Sequence, residues 1–502
     1  TMQSNLINSS DSFETNHAHI VIVGAGLAGL AAAHRLYERG FRNVTILEAQ
    51  DRIGGRVHTI KHDESVIELG AQWLHGANDN PYYQWMTERG LLEDPEDAGS
   101  ELEGLFCTLS AQIIDKSLVR SVFDIVVNIK HNLSKNVYTE LVQRKKFVLA
   151  QDVFEDQLAN EIAKSETLTR QKELVYALFE WFMRYEVIDN CCNSMNEVSI
   201  SAYTGWSDWG DGTLINFRGG YESLVTWFVD RIPVSWIKKR RIVQCIHLPL
   251  EQENGIKSRG NIIIGVSNYD VNPGTQSLCD QEKLNCDHLI LTSSLGFLKE
   301  NHLKLFDPKL PENKIKLIET IGFGTVNKIF LEFEEPFWKS EKAIKLVWTA
   351  SDKRNFPEWV YDMTGFDVVR NQPNLLLGWI GGNGAREFEK NSDETIGQVC
   401  LKLIETCLPK FYDRPSKLKK CICSRWYSNP LIRGAYSFQS MNCYNLDTSV
   451  LHEPLLDNTD RIAPRIMFAG EATSGDLYST THGALASGWR EADRLIKLYS
   501  TS

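Results

Sequence analysis

Three glycines, Gly24, Gly26 and Gly29, stand at GxGxxG spacing between the apolar run Ile20 to Val23 and an Ala/Leu-rich stretch. A short run with no polar face reads as a buried parallel strand, and the stretch after it as a helix. The first glycine permits a tight turn, the second lets a pyrophosphate approach the backbone, and the third lets helix and strand pack closely. Unpaired N–H groups and the positive end of the helix dipole can then hold a diphosphate. Val44 to Leu47 reads as the next strand, with Glu48 at its end, about twenty residues past the glycines, where a ribose-binding acid belongs. A carboxylate there accepts two ribose hydroxyl bonds and repels a 2′-phosphate, which disfavours NADP. Glycines alone make only a structural turn; with the strand, the helix and the acid they read as dinucleotide binding.

Other stretches carry side chains suited to a flat or cationic ligand. In Ile67 to Gly76, two glycines bracket Gln72, Trp73 and His75, which suits a loop lying against a flat ligand. Phe323 to Phe333 alternates like a strand, with Asn327, Ile329, Leu331 and Phe333 on one face and Val326, Lys328 and Phe330 on the other. By pattern alone Lys328 is a snorkelling residue on an edge strand. Arg465 to Ala472 is a strand ending in Gly470-Glu471, and Tyr478 to Ala484 opens a helix running to about Tyr499.

The elements between must position these groups. From about Pro95 to Asn190 the period is helical, with Leu118, Val119, Val122, Ile125, Val126 and Ile129 on one stripe, and we expect an inserted helical subdomain. Arg218 to Tyr221 precedes a helix, and Arg241 to Ile246 is a strand. Asn254 to Asn285, polar and containing Pro273-Gly274, reads as an exposed hairpin excursion. Cys286 to Leu291 is a further buried strand. Leu375 to Ile380 is an apolar strand containing Trp379, followed by a flexible Gly381-Gly382-Asn383-Gly384. Ser392 starts a helix, and Trp426 to Tyr436 is aromatic loop material. Strands alternating with helices give an α/β fold.

A chain of 502 residues can bury a large core and should form at least two domains. Its net charge of −11 disfavours nucleic acid and suits a cationic substrate. The apolar runs are too short to span a bilayer, so no membrane partner is expected. Thr1 to Ala18 lacks an apolar core and reads as a disordered leader, and Tyr499 to Ser502 is not the S-K-L peroxisomal signal. The 11 cysteines lack zinc-ligand spacing and read as reduced thiols of a cytoplasmic protein that binds no metal.

Asp51-Arg52-Ile53-Gly54-Gly55-Arg56 resembles the flavin-contacting glycine–arginine element of the glutathione-reductase-like FAD proteins. With G-A-G-L-A-G, L-G-A-Q-W-L-H-G, F-G-T-V-N-K-I-F-L-E-F-E-E-P-F-W and F-A-G-E-A-T followed by Y-S-T-T-H-G-A-L-A-S-G-W-R-E-A-D-R-L, it resembles the polyamine oxidases of the flavin amine oxidase family, in the branch of N1-acetylpolyamine and spermine oxidases. The motifs run in order from residue 19 to about residue 497.

The resemblance implies a Rossmann-like FAD-binding domain from residues 19–94, 213–297 and 455–499, and an α+β substrate-binding domain from 95–212 and 298–454. It implies oxidation of the C–N bond at a secondary amine of spermine or N1-acetylspermine, hydride transfer to flavin N5, and reoxidation by molecular oxygen to hydrogen peroxide. Lys328 and His75 are then catalytic, Lys328 holding a water toward N5 and His75 lining the tunnel; this reverses the edge-lysine reading. Trp73, Trp379, Tyr436, Tyr478 and Ser479 contact substrate. Gly24, Ala25, Gly26, Leu27, Gly29, Glu48, Arg56, Gln72, Trp73, Val243, Glu471, Thr480 and Thr481 hold FAD, with Arg56 at the phosphates, Val243 at the adenosine half, and Glu471, Thr480 and Thr481 at the ribityl chain and pyrimidine edge. No attachment cysteine lies near Ser479, so FAD is expected to be non-covalent. The expected assembly is a monomer or weak dimer.

Two departures bear on substrate choice: Thr204-Gly205-Trp206 replaces a G-E-[YW] segment, leaving Asp208 or Asp211 as a distal cation anchor, and Val326 replaces an asparagine. A histone-demethylase-like enzyme, a catalytically decayed polyamine-binding flavoprotein and a monoamine oxidase are the alternatives.

Overall fold

The computed structural model describes residues 17–78, 80–95, 102–135, 149–198, 213–248, 261–269, 282–352, 355–410, 412–443, 446–456 and 463–500. Ile20–Val23 lies near the middle of a six-stranded sheet in the order Leu455–Leu456, Pro464–Phe468, His288–Leu291, Ile20–Val23, Val44–Leu47, Ile237–Lys238. All its pairings are parallel except the Leu455–Leu456 edge. Ile20 faces Val44 on one side and His288 on the other, and all four residues of Ile20–Val23 are buried, as a strand covered on both faces requires. Helices Leu27–Glu38 and Thr481–Ser500 cover one face. They cross so closely that a Cβ on Gly488 would lie 2.1 Å from the Ala28 carbonyl oxygen.

A four-stranded sheet covers the other face, in the order Glu282–Cys286, Ile262–Asn268, Arg241–His247, Phe306–Asp307. This corrects the expectation of an exposed excursion. Ile262–Asn268 is an inner strand, and its alternating Ile262, Ile264 and Val266 are buried against Val21, Val23, Leu289 and Leu291. Period-two apolar residues outweigh the polar composition around them. Pro273-Gly274 lies outside the described residues.

A second six-stranded sheet runs Leu418–Cys423, Asn327–Phe333, Leu375–Ile380, Met363–Val368, Ala343–Leu346, Leu105–Cys107, antiparallel except for its last pair. The lysine strand is therefore interior, with Lys328 opposite Trp379 and Ile329 opposite Cys423. Ile329, Leu331 and Phe333 pack with Ile396, Cys400 and Leu403 of the helix Asp393–Cys407, which Ser392 caps through its side chain. Burying each such aliphatic side chain is worth about 1.5–3 kcal/mol. The opposite face sets Phe330, Leu377 and Trp379 against Ile67. Gly382 to Gly384 is not a loop: it begins the helix Gly382–Phe388, where a Cβ on Gly384 would lie 2.7 Å from Asp362 Oδ2. Those glycines serve close approach rather than flexibility.

The expected helical stretch contains Lys116–Lys135, Ala150–Lys164, Glu166–Arg170 and Lys172–Asp189, with a core of its own around Val122, Phe154, Leu178 and Trp181. It also contributes the strand Leu105–Cys107, too short for a periodicity to reveal. Among the described residues no helix is long and apolar enough to cross a membrane.

Candidate active site

The glycine turn has the geometry its spacing predicts. Gly24 takes φ +103°, and a Cβ on Gly29 would lie 2.0 Å from the Gly24 carbonyl oxygen. A Cβ on Gly26 meets protein only at 3.9 Å, so protein packing does not demand that glycine and the free space belongs to a ligand. The second glycine element docks on the first: Gly54 N–H donates to Ala25 O at 2.9 Å, and Gly54 and Gly55 have φ +98° and +61°. Glu48 is buried, with Oε2 accepting from Ala25 N–H and Oε1 from Gln50 N–H, both at 2.8 Å. Burial pushes its carboxyl above the ordinary range while these bonds pull it back. An ionised carboxylate has about four lone-pair sites, so one on each oxygen remains for a ribose.

From this turn a cavity of about 1890 Å³ runs to the second sheet. Gly24, Gly26, Leu27, Glu48, Arg56, Gln72, Trp73, His75, Val243, Lys328, Trp379, Tyr436, Glu471, Tyr478, Ser479, Thr480 and Thr481 all line it. Ala25 and Gly29 do not; they shape the turn from behind. The residues with fold-forming φ or close-packing roles thus frame one end, and the aromatic residues the other.

Arg56 Nη1 donates to Glu471 Oε1 and Ala435 O, both at 2.8 Å, so this guanidinium is turned to a carboxylate and a carbonyl. Glu471 Oε2 accepts from the Ser437 hydroxyl at 2.6 Å and from Ser479 N–H at 2.9 Å. Ser479 has φ +68° and its hydroxyl donates to Ser437 O. Thr480 Oγ1 accepts from Gly483 N–H at 2.9 Å, capping the last helix, and Thr481 Oγ1 is hydrogen-bonded to the Tyr221 hydroxyl. The hydroxyls of Ser479, Thr480 and Thr481 are thus engaged inside the protein. What the segment offers the cavity is the positive end of a 20-residue helix.

Lys328 is 3% exposed. Its Nζ donates to Glu68 O and Gly70 O at 2.8 Å and to Gln72 Oε1 at 2.7 Å, and sits 4.8 Å from the centre of the Trp379 ring. The snorkelling reading is overturned, because a buried lysine persists only where its donors are satisfied. Burial pushes it down to about 7, and the charge of Glu68 opposes the shift. Trp73 stacks on Trp379 with centroids 5.9 Å apart at 29°. Tyr436 donates to Ile188 O at 2.8 Å; burial, then Cys191 and Asp189, hold its phenol well above the ordinary range. His75 pairs with Leu214 in a two-residue strand, and its carbonyl accepts from Asn80 at 2.9 Å.

Two further residues, Glu68 and Asp189, line the site and two, Ser437 and His482, stand behind its wall; none carries a sequence signal of its own. Glu68 is fixed by Tyr221 N–H and the Thr59 hydroxyl, both at 2.7 Å. Ser437 anchors Glu471. His482 is buried, its ring tilted 30° to that of Tyr82 with centroids 5.4 Å apart; burial and then His75 push it down to about 3, so it is neutral. Asp189 ends the helix Lys172–Asp189 and faces the cavity, and after burial its charge is the next cause of the raised Tyr478 phenol. Asp208, Asp211 and Thr204-Gly205-Trp206 lie outside the described residues. His62, Asp63 and Glu332 bring ligand atoms within 4.8 Å of one another, and Lys419 already supplies a cation to Glu332.

A dinucleotide cradle joined through one cavity to a buried lysine and paired aromatic rings fits a flavoprotein that oxidises amines. The chain belongs to the flavin-containing amine oxidoreductase family, which residues 27–496 match. It is an FAD-dependent amine oxidase, and the glycine turn, Glu48 and the last helix fit that cofactor. It is 31% identical over 505 residues to the human peroxisomal N(1)-acetyl-spermine/spermidine oxidase, covering 96% of this chain and 95% of that one. It is 28% identical to a probable polyamine oxidase 5 of Arabidopsis thaliana, covering 96% and 98%. The fold matches a putrescine oxidase structure with a TM-score of 0.64 over 96% of this chain and 99% of that one, at 16% identity.

Proposed function

We propose that this amine oxidase acts on linear polyamines at a secondary nitrogen, and that its preferred substrate ends in a free ammonium. FAD, when bound, takes up the hydride lost from the carbon beside that nitrogen. The observation that carries the substrate class is Asp189, a carboxylate on a helix C-terminus in the same cavity as Trp73, Trp379 and Tyr436. Its charge and the negative end of the helix dipole act together on a cation, while the aromatic walls suit the carbon chain between nitrogens. Val326 packs with Cys191, Ala435 and Tyr436, so its own side chain offers an acetamide neither donor nor acceptor.

Lys328 spends its donors on Glu68 O, Gly70 O and Gln72 Oε1 and so acts at the reacting carbon through Gln72 rather than through a water of its own, while His75 lines the approach. Glu48 and the glycine turn hold the adenosine end, with Val243 beside Glu48 in the cavity wall. The proposed division of the chain follows the sheets: every strand of the parallel sheet falls within residues 19–94, 213–297 or 455–499, and every strand of the lysine-bearing sheet within 95–212 or 298–454. Mixing the yellow holoprotein with spermine in the absence of oxygen tests the reading: the flavin bleaches if spermine is a substrate, and an unchanged oxidised spectrum refutes it.

A further inference from the structure

A charged lysine has three N–H donors and no lone pair, whereas the neutral amine has two donors and one acceptor. Lys328 as an ammonium spends all three donors on Glu68 O, Gly70 O and Gln72 Oε1. The first two are backbone atoms fixed by their chain. Gln72 is different: half a turn of its carboxamide exchanges an acceptor for a donor at the same place, and the hydrogen-bond partner decides which one faces it. A neutral Lys328 keeps its bonds to the two carbonyls and aims its lone pair at Gln72, where only the NH₂ is a satisfactory partner.

Both states are reachable near neutral pH, since burial pushes Lys328 down to about 7. The charged group that acts on it is Glu68, on the strand Ser65–Glu68. The adjacent strand brings Trp379, and the chain after Leu418–Cys423 brings Ser424, whose hydroxyl accepts from Lys328 N–H; neither ionises in this range. Arg56 and Glu471, elsewhere in the cavity wall, pair with each other.

We propose that Gln72 is a positioning residue that turns with the charge of Lys328, its oxygen toward the ammonium and its NH₂ toward the neutral amine. The other end of the amide turns oppositely, so the cavity receives a donor from Gln72 while Lys328 is charged and an acceptor once it is neutral. The inference rests on the reading that this stretch of cavity takes the flavin ring.

The test is the absorption spectrum of the oxidised holoenzyme titrated from about pH 5.5 to about pH 9.5, with FAD content measured for each variant. Wild type shows a one-proton transition near neutrality, and Lys328→Met lacks it. Gln72→Glu, which fixes an acceptor and adds charge, moves it up by about one unit or more, and Gln72→Met, which removes the acceptor, moves it down. Opposite shifts are not produced by a residue that merely fills space. If both Gln72 variants load FAD and keep the wild-type transition in position and amplitude, the proposal is overturned. A transition that survives in Lys328→Met overturns the reading of Lys328 itself, and the proposal with it.

Discussion

Lys328 and Trp379 are register partners on adjacent antiparallel strands, and the lysine Nζ lies 4.8 Å from the centre of the indole ring. Lys328, Phe330 and Trp379 project to one face of the sheet, toward the segment that carries Gln72 and Trp73. One cross-strand pair thus sets both the proton-holding group and an aromatic wall, on rigid strands rather than on loops.

Replacing Lys328 by Met keeps the length and removes the nitrogen. The variant should retain FAD, because Glu48 and the glycine turn are untouched. A group that holds or moves a proton contributes about 10²–10⁴-fold, so stopped-flow measurement of the flavin half-reactions should show a loss of at least about 10²-fold in one of them.

The same substitution has a consequence for stability. The folded pKa of Lys328, about 7, lies below that of an unfolded lysine, near 10.4. Across that window the unfolded chain binds more protons, so this group makes stability rise with pH from about 7 to about 10 and penalises the fold below it. Urea midpoints of Lys328→Met should therefore climb less with pH between about 7 and about 9 than those of wild type. Parallel curves would show that the lysine is not depressed.

Asp189→Asn removes a charge while keeping shape. It should raise KM for spermine by about tenfold or more, equivalent to about 1.4 kcal/mol, and leave the flavin spectrum unchanged. Steady-state kinetics check this; an unaltered KM would move the cation anchor elsewhere.

Glu48→Ala leaves the N–H groups of Ala25 and Gln50 without their acceptor and takes away the ribose partner. Each buried donor left unmade costs about 1–3 kcal/mol, so the variant should shed FAD on gel filtration. Retention of stoichiometric flavin would contradict the assignment of Glu48.

Much of this was legible in the sequence, for reasons that differ by residue. Gly24 and Gly29 announce themselves because a positive φ and a 2.0 Å approach to Gly24 O exclude a side chain. The buried strands Ile20–Val23 and His288–Leu291 are continuous apolar runs. Lys328 was not legible from pattern, since alternation does not say whether a strand is interior; its burial depends on three acceptors brought from residues 68 to 72. The strand Ile262–Asn268 is hidden in the sequence because its apolar face is embedded in a polar stretch, and the packing role of Gly384 because a close approach to Asp362 looks in sequence like flexibility. Asp189 was invisible as a site residue: what singles it out is the place where its helix ends.

The most direct measurement is the initial rate of hydrogen peroxide release by the purified holoprotein on spermine, N1-acetylspermine and benzylamine at matched concentrations. The account predicts turnover of both polyamines, spermine the faster, with benzylamine far behind. Turnover of benzylamine with neither polyamine oxidised would contradict it.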